Sequence, residues 1–191
     1  MAELAGKRIV VIGGSSGIGF GVATAALAAG AEVIIASRRQ SQVDEACAAL
    51  GAGASGQALD VSDKRAVTRY FQQHKGIRSV VNCAAYTAVD KAESEPEKAR
   101  RINVAGAKNL AEACAALDIP LIHFSTDYVY HSRQNTPFKE DDPVHPQGVY
   151  ARTKLAGERA ALRAHPQGTM VIRTSWVYAP VGQNFVKTML R

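Results

Sequence analysis

Short apolar runs alternate along the chain with longer stretches of helical periodicity, the pattern of βαβ units built around a parallel sheet. Ile9, Val10, Val11 and Ile12 read as a first strand, followed by a helix over 17–29 that Gly30 ends. Residues 32–36 give a second strand and 41–50 a helix; Ala58 and Leu59 close a third strand. Ser62 or Asp63 can then cap a helix reaching about residue 74. A fourth strand over 79–83 precedes a long helix over 96–117, and a fifth over 121–125 precedes a helix over 149–164. Residues 170–174 supply the sixth strand.

Six strands with five crossovers predict an α/β fold with a doubly wound parallel sheet, the Rossmann fold, in the strand order 3-2-1-4-5-6. One domain over 1–191 accommodates it, since this length can bury a substantial core. The stretch 130–148, rich in Pro, Asp, His and Gln, follows a strand end, where ligands bind in such sheets. It reads as a substrate-side loop, with a plain surface excursion as the alternative.

Composition excludes several classes of protein. With 47% hydrophobic and 21% charged residues and no low-complexity tract, the chain is of the folded, soluble kind. No apolar run approaches the ~20 residues that cross a bilayer. Lys7 and Arg8 precede a run too short for a signal sequence, so a cytoplasmic location and no membrane partner are expected. Cys47, Cys83 and Cys114 show neither disulfide nor zinc spacing, and the five histidines form no ligand cluster, so no metal is expected. The net charge of +6 is scattered without interleaved aromatics, which argues against nucleic acid and suits an anionic small molecule.

Two patterns carry chemistry. Gly13, Ser15, Ser16, Gly17, Ile18 and Gly19 follow a strand and open a helix, so backbone N–H groups and the helix dipole can meet a pyrophosphate. The second strand ends in Ser37, Arg38 and Arg39 in place of the carboxylate that accepts from a ribose 2′-hydroxyl. Two guanidiniums favour a 2′-phosphate, hence NADP(H) over NAD(H), unless they are simply solvated in a loop. Asp60 can accept from an adenine amino group, or serve a turn or helix cap. Tyr150 and Lys154 stand four apart on one helix face, where the ammonium can sit beside the phenol and lower its pKa from ~10.

With the glycine turn, Asp60 and Val61, Asn103, Thr126 and the Tyr150/Lys154 pair in order, the chain resembles the short-chain dehydrogenase/reductase superfamily. The first ~75 residues are most similar to its small single-domain branch, although Ile12 stands where Thr usually precedes the glycines. From Ser79 onward the chain resembles the dTDP-4-dehydrorhamnose reductases, in the strings Val81 to Asp90, Ser125 to Tyr130, Tyr150 to Glu158 and Arg173 to Tyr178.

That resemblance implies a hydride transfer to a carbonyl of a small molecule or sugar nucleotide. Thr126 orients the carbonyl, Tyr150 is the general acid, and Lys154 binds the nicotinamide ribose and tunes Tyr150. Asn103 helps organise a proton relay or makes a purely structural bond. Cys83, Ala84 and Ala85 join the cofactor site, and Tyr128 and Trp176 lie near the sugar nucleotide, with core packing an alternative for Trp176. A homodimer pairing helices 96–117 and 149–164 is implied as well. Dehydrorhamnose reductases continue beyond the segment that residues 184–191 resemble, so a largely absent substrate domain is expected. The two differing halves suggest a chimera joined near 74–78, natural or engineered. A recombined or truncated domain that binds NADP(H) without catalysis is the alternative function.

Overall fold

A computed structural model describes residues 3–131, 136–179 and 185–190. Six parallel strands form one sheet in the order β3-β2-β1-β4-β5-β6, as expected. They are β1 (Arg8–Ile12), β2 (Glu32–Ser37), β3 (Ala54–Ala58), β4 (Ile77–Asn82), β5 (Leu121–Thr126) and β6 (Thr169–Thr174). The strand reversal falls between β1 and β4, opening the crevice where ligands of such sheets bind.

β1 shows why its sequence is almost continuously apolar. Val10 and Ile12 face one hydrophobic cluster, and Ile9 and Val11 face another on the opposite side of the sheet. Helices α1 (Gly17–Ala28) and α2 (Gln40–Leu50) cover the Ile9/Val11 face through Ala23, Ala26, Val43 and Ala46. On the Val10/Ile12 face lie α3 (Lys64–Gln73), whose Val67, Tyr70 and Phe71 follow helical spacing, and the helices downstream of β4.

Asp63, and not Ser62, caps α3: its carboxylate accepts from the N–H groups of Arg65 and Ala66 at 2.9 and 3.1 Å. The Ser62 hydroxyl instead donates to Asp60. β4 begins two residues earlier than the apolar pattern indicated, because Ile77 is already buried against α3.

The largest departure lies between β4 and β5. A short α4 (Val89–Ser94) was not anticipated, and the single helix expected over 96–117 is interrupted. It consists of α5 (Pro96–Arg100), a π-helical turn over Arg101–Gly106, and α6 (Ala107–Ala116). After β5 a 3-10 turn, Asp127–Val129, leads into the connection to α7 (Gly148–Ala164). A last short helix, α8, spans Phe185–Met189. Tyr86, Ala92, Ala99 and Ile102 form a small third cluster against Val149 and Tyr150, seating the start of α7.

Candidate active site

The glycine turn is built by close approach. Gly13 has φ 78°, and a Cβ there would stand 2.8 Å from the Ala84 nitrogen; a Cβ on Gly19 would stand 2.2 Å from the Gly13 carbonyl oxygen. Gly13 N donates to Ala36 O at 2.7 Å and Cys83 N to Ile12 O at 2.8 Å, fastening the turn between the ends of β2 and β4. Ser16 caps α1 with no side-chain hydrogen bond, which leaves first-turn N–H groups available to an anion.

An open groove of about 700 Å³ runs over this turn. It is lined by every residue assigned to the cofactor from sequence except Lys154: Gly13, Ser15 to Gly19, Ser37 to Arg39, Asp60, Val61, and Cys83 to Ala85. Ile12, Gln42, Leu59, Thr87 and Ile102 join them. These five sit beside recognised positions, but no residue type among them announces a role.

Ser15 and Ser37 share a hydroxyl hydrogen bond of 2.8 Å across the groove. Arg38 and Arg39 are exposed, and among the described residues neither is in an ion pair. One Asp60 oxygen accepts from the Ser62 N–H at 2.9 Å and hydroxyl at 2.7 Å, so Asp60 serves the turn while also lining the groove. A backbone cradle that excludes side chains, an open helix N-terminus and two unpaired guanidiniums together fit a dinucleotide bearing a 2′-phosphate.

Beyond the groove, β5 and α7 bring Thr126, Tyr150 and Lys154 together. Thr126 is buried at the end of β5, where its hydroxyl oxygen accepts from Tyr128 N at 3.2 Å. Tyr150 is half-buried, with the Tyr128 ring edge-on to it at 5.9 Å. Burial chiefly raises the Tyr150 pKa, a hydrogen bond with Thr126 opposes the rise, and the charges of Asp127 and Tyr128 add to it.

The expected lowering of that phenol by Lys154 is therefore corrected. Lys154 is 3% exposed, and its ammonium turns beneath the sheet end to donate to Phe124 O at 2.7 Å. Burial brings its own pKa down to about 8, while Glu158 and Cys83 hold it up. Helical spacing places the two side chains on one face; it does not make them touch.

Asn103 makes structural bonds, one of the two readings its sequence position offered. Its amide oxygen accepts from Tyr86 N at 2.8 Å, and its nitrogen donates to Tyr86 O at 3.3 Å and Thr153 Oγ1 at 3.0 Å. The side chain clamps the β4–α4 connection to α7, so its bonds are the structural ones. Of the two residues placed near a sugar nucleotide, Tyr128 is 53% exposed beside Tyr150 and Trp176 is 68% exposed, which overturns core packing for the tryptophan. Trp176 also has φ 50°, an uncommon conformation for a bulky side chain.

Sequence reasoning missed a charged cluster behind the site. Glu158, 2% exposed, binds Arg173 of β6 at 2.7 Å and accepts from the Ser125 hydroxyl. Its signal was present, since Tyr150, Lys154 and Glu158 continue one i, i+4 series along α7. Among the described residues there is no group of three His, Cys, Asp or Glu able to hold a metal, and no helix is long and apolar enough to cross a membrane.

Comparison with known proteins places this geometry among its relatives. A family model described as RmlD substrate binding domain matches residues 7–191, running through 74–78 where the sequence suggested a junction. A dTDP-4-dehydrorhamnose reductase of Mycolicibacterium smegmatis is 41% identical over 191 residues, covering 99% of this chain and 52% of the relative. One of Sinorhizobium fredii is 54% identical over 112 residues, 59% of this chain and 38% of the relative.

Among solved structures, a dTDP-4-dehydrorhamnose reductase of Clostridium acetobutylicum superposes with TM-score 0.73 at 32% identity, over 96% of this chain and 58% of that one. The Bacillus anthracis protein of that name, in complex with NADP, superposes with TM-score 0.73 at 28% identity, over 96% and 59%. The chain spans about half the length, or less, of the curated relatives it matches.

Proposed function

The chain belongs to the RmlD substrate binding domain family, and from that membership and the site's geometry we propose that it is an NADP(H)-dependent oxidoreductase acting on a carbonyl. The reaction it most resembles is reduction of dTDP-4-dehydro-6-deoxy-L-mannose to dTDP-L-rhamnose, the chemistry of the relatives named dTDP-4-dehydrorhamnose reductase. One observation carries the reading: Tyr150 hydrogen-bonds with Thr126 at the end of β5, the strand whose Phe124 carbonyl holds the buried Lys154, and Cys83 beside Lys154 lines the groove over the glycine turn.

The residues present fit the cofactor. Gly13 to Gly19 would hold the pyrophosphate on backbone N–H groups, and Ser37, Arg38 and Arg39 the 2′-phosphate. When bound, NADPH supplies the hydride. Tyr150, whose raised pKa keeps its phenolic proton at neutral pH, donates that proton to the alkoxide forming on the substrate. The Thr126 hydroxyl donates a second hydrogen bond to the same oxygen, stabilising charge that develops only in the transition state. Lys154 stays cationic at pH 7 and keeps a positive charge beneath the reacting centre. The edge-on Tyr128 and the exposed Trp176 offer flat apolar faces to a sugar or base. The helical surface of α5, α6 and α7 is the proposed contact of a homodimer.

The test is titration with NADPH and NADH followed by turnover on the dTDP-sugar, with Tyr150→Phe as control. A loss of about 10²–10⁴ in kcat, with NADPH affinity preserved, is expected. Undiminished turnover in that variant would remove the mechanism. Tight NADPH binding without turnover in the wild-type chain would favour a binding domain that does not catalyse.

A further inference from the structure

Glu158 belongs to no part of the reaction just described, yet it is the charged side chain most completely buried behind it. At 2% exposure an isolated carboxylate would be very costly, so its partners define its purpose. Arg173 meets it with a fork: Nη2 to Oε2 at 2.7 Å, and Nε to Oε1 and Oε2 at 3.2 and 3.3 Å. Ser125, directly before Thr126, donates to Oε1.

The other end of the same guanidinium reaches the connection after β5. Nη1 donates to the Tyr130 hydroxyl and to Glu140 O at 3.2 Å, and the guanidinium carbon lies 4.9 Å from the Tyr130 ring centre. Tyr130 in turn donates to Lys139 O at 2.9 Å and stacks on Phe138 at 4.6 Å, with planes 6° apart.

We propose that Glu158 is a positioning residue: paired with Arg173, it ties the end of β5, the α7 turn that carries Lys154 and the connection through Tyr130, Phe138 and Glu140 into one unit. This rests on the reading of Thr126, Tyr150 and Lys154 as the reacting centre. Ser125 and Arg173 both bond the one carboxylate, and Arg173 carries the tie on to Tyr130 and Glu140.

The pair also acts through charge. Lys154 is faced by Glu158 on its own helix, Cys83 after β4 and His123 of β5, with Arg173 of β6 beyond Glu158. His123 is held neutral by burial and by Lys154, with its pKa near 3, and burial keeps the Cys83 thiol protonated up to about 12. Glu158 is consequently the anion that favours the lysine's charged form.

Two variants test this in the full chain labelled with 13C-lysine. In Glu158→Gln the Lys154 Cε signal should titrate about one pH unit or more lower than in wild type. In Glu158→Gln with Arg173→Met, which leaves no unpaired buried cation, the displacement should be smaller but in the same direction. Amide exchange over 138–145 should accelerate several-fold in both. If the single variant does not fold, the double variant answers alone. An unchanged Lys154 midpoint, or unchanged exchange protection, overturns the proposal. Should wild type reduce no carbonyl, both readouts still stand, so failure of the proposed activity and failure of this assignment are separate results. If it is active, the alkaline limb of kcat should move to lower pH in Glu158→Gln, an effect that simple loosening would not produce.

Discussion

Glu93 accepts a hydrogen bond from the backbone N–H of Val149 at 2.6 Å, so a carboxylate on α4 caps the first turn of α7, one residue before Tyr150. The cap position itself, Gln147, makes no side-chain bond to the helix. A carboxylate there satisfies an orphan donor and complements the positive end of the helix dipole.

Glu93→Ala should therefore cost about 1 kcal/mol of stability, whereas Glu93→Gln, which keeps an acceptor, should cost less. Urea unfolding midpoints of the two variants check the order. Equal losses would mean that the bond from Val149 contributes nothing beyond packing.

The proposed 2′-phosphate site assigns cofactor preference to two exposed side chains, Arg38 and Arg39. Replacing Arg38 and Arg39 together by Ala should weaken NADPH binding by a factor of about 10 to 100 while changing NADH binding little. Fluorescence titration with each nucleotide measures both. A parallel loss would reassign the arginines to general electrostatic attraction.

Alkaline pH should act through Cys114. In the unfolded chain the thiol ionises near pH ~8.5, whereas burial in the core pushes the folded thiol up to about 12. The folded state then holds a proton that the unfolded state has released. Stability from this group is present below the unfolded pKa and falls as pH rises through that interval. Lys154 works in the opposite sense, because its folded pKa, about 8, lies below its unfolded value, so its contribution grows with pH above about 8. Cys114→Ala removes the thiol alone. Its urea midpoint should fall less than that of wild type between about pH 8 and about pH 10; parallel falls would contradict the assignment.

Much of the fold was legible because its signals are local. The run from Ile9 to Ile12 is apolar on both faces and needs no partner to be recognised as a buried parallel strand. The glycine turn and the two arginines are similarly contained in short windows, and the groove gathers them. What escaped prediction depends on distant groups. The interruption of the helix at Arg101–Gly106 occurs where Asn103 clasps Tyr86 and Thr153, residues 17 and 50 positions away in sequence. The direction of the Lys154 side chain is set by the Phe124 carbonyl, on a strand 30 residues earlier. Glu158 gains its partners only through the fold, from Arg173 and Ser125, 15 and 33 positions away in sequence.

At Gly157, a methyl group would stand 2.2 Å from the Asn103 carbonyl oxygen, and the position lies between Lys154 and Glu158 on α7. The backbones of two helical segments meet there with no side chain between them. A contact of that kind cannot be adjusted by repacking, because there is no rotamer to change. Substitution at this hydrogen atom would displace α7 and carry Tyr150, Lys154 and Glu158 with it, so a glycine inside the helix acts as the reference point from which the face bearing them is measured.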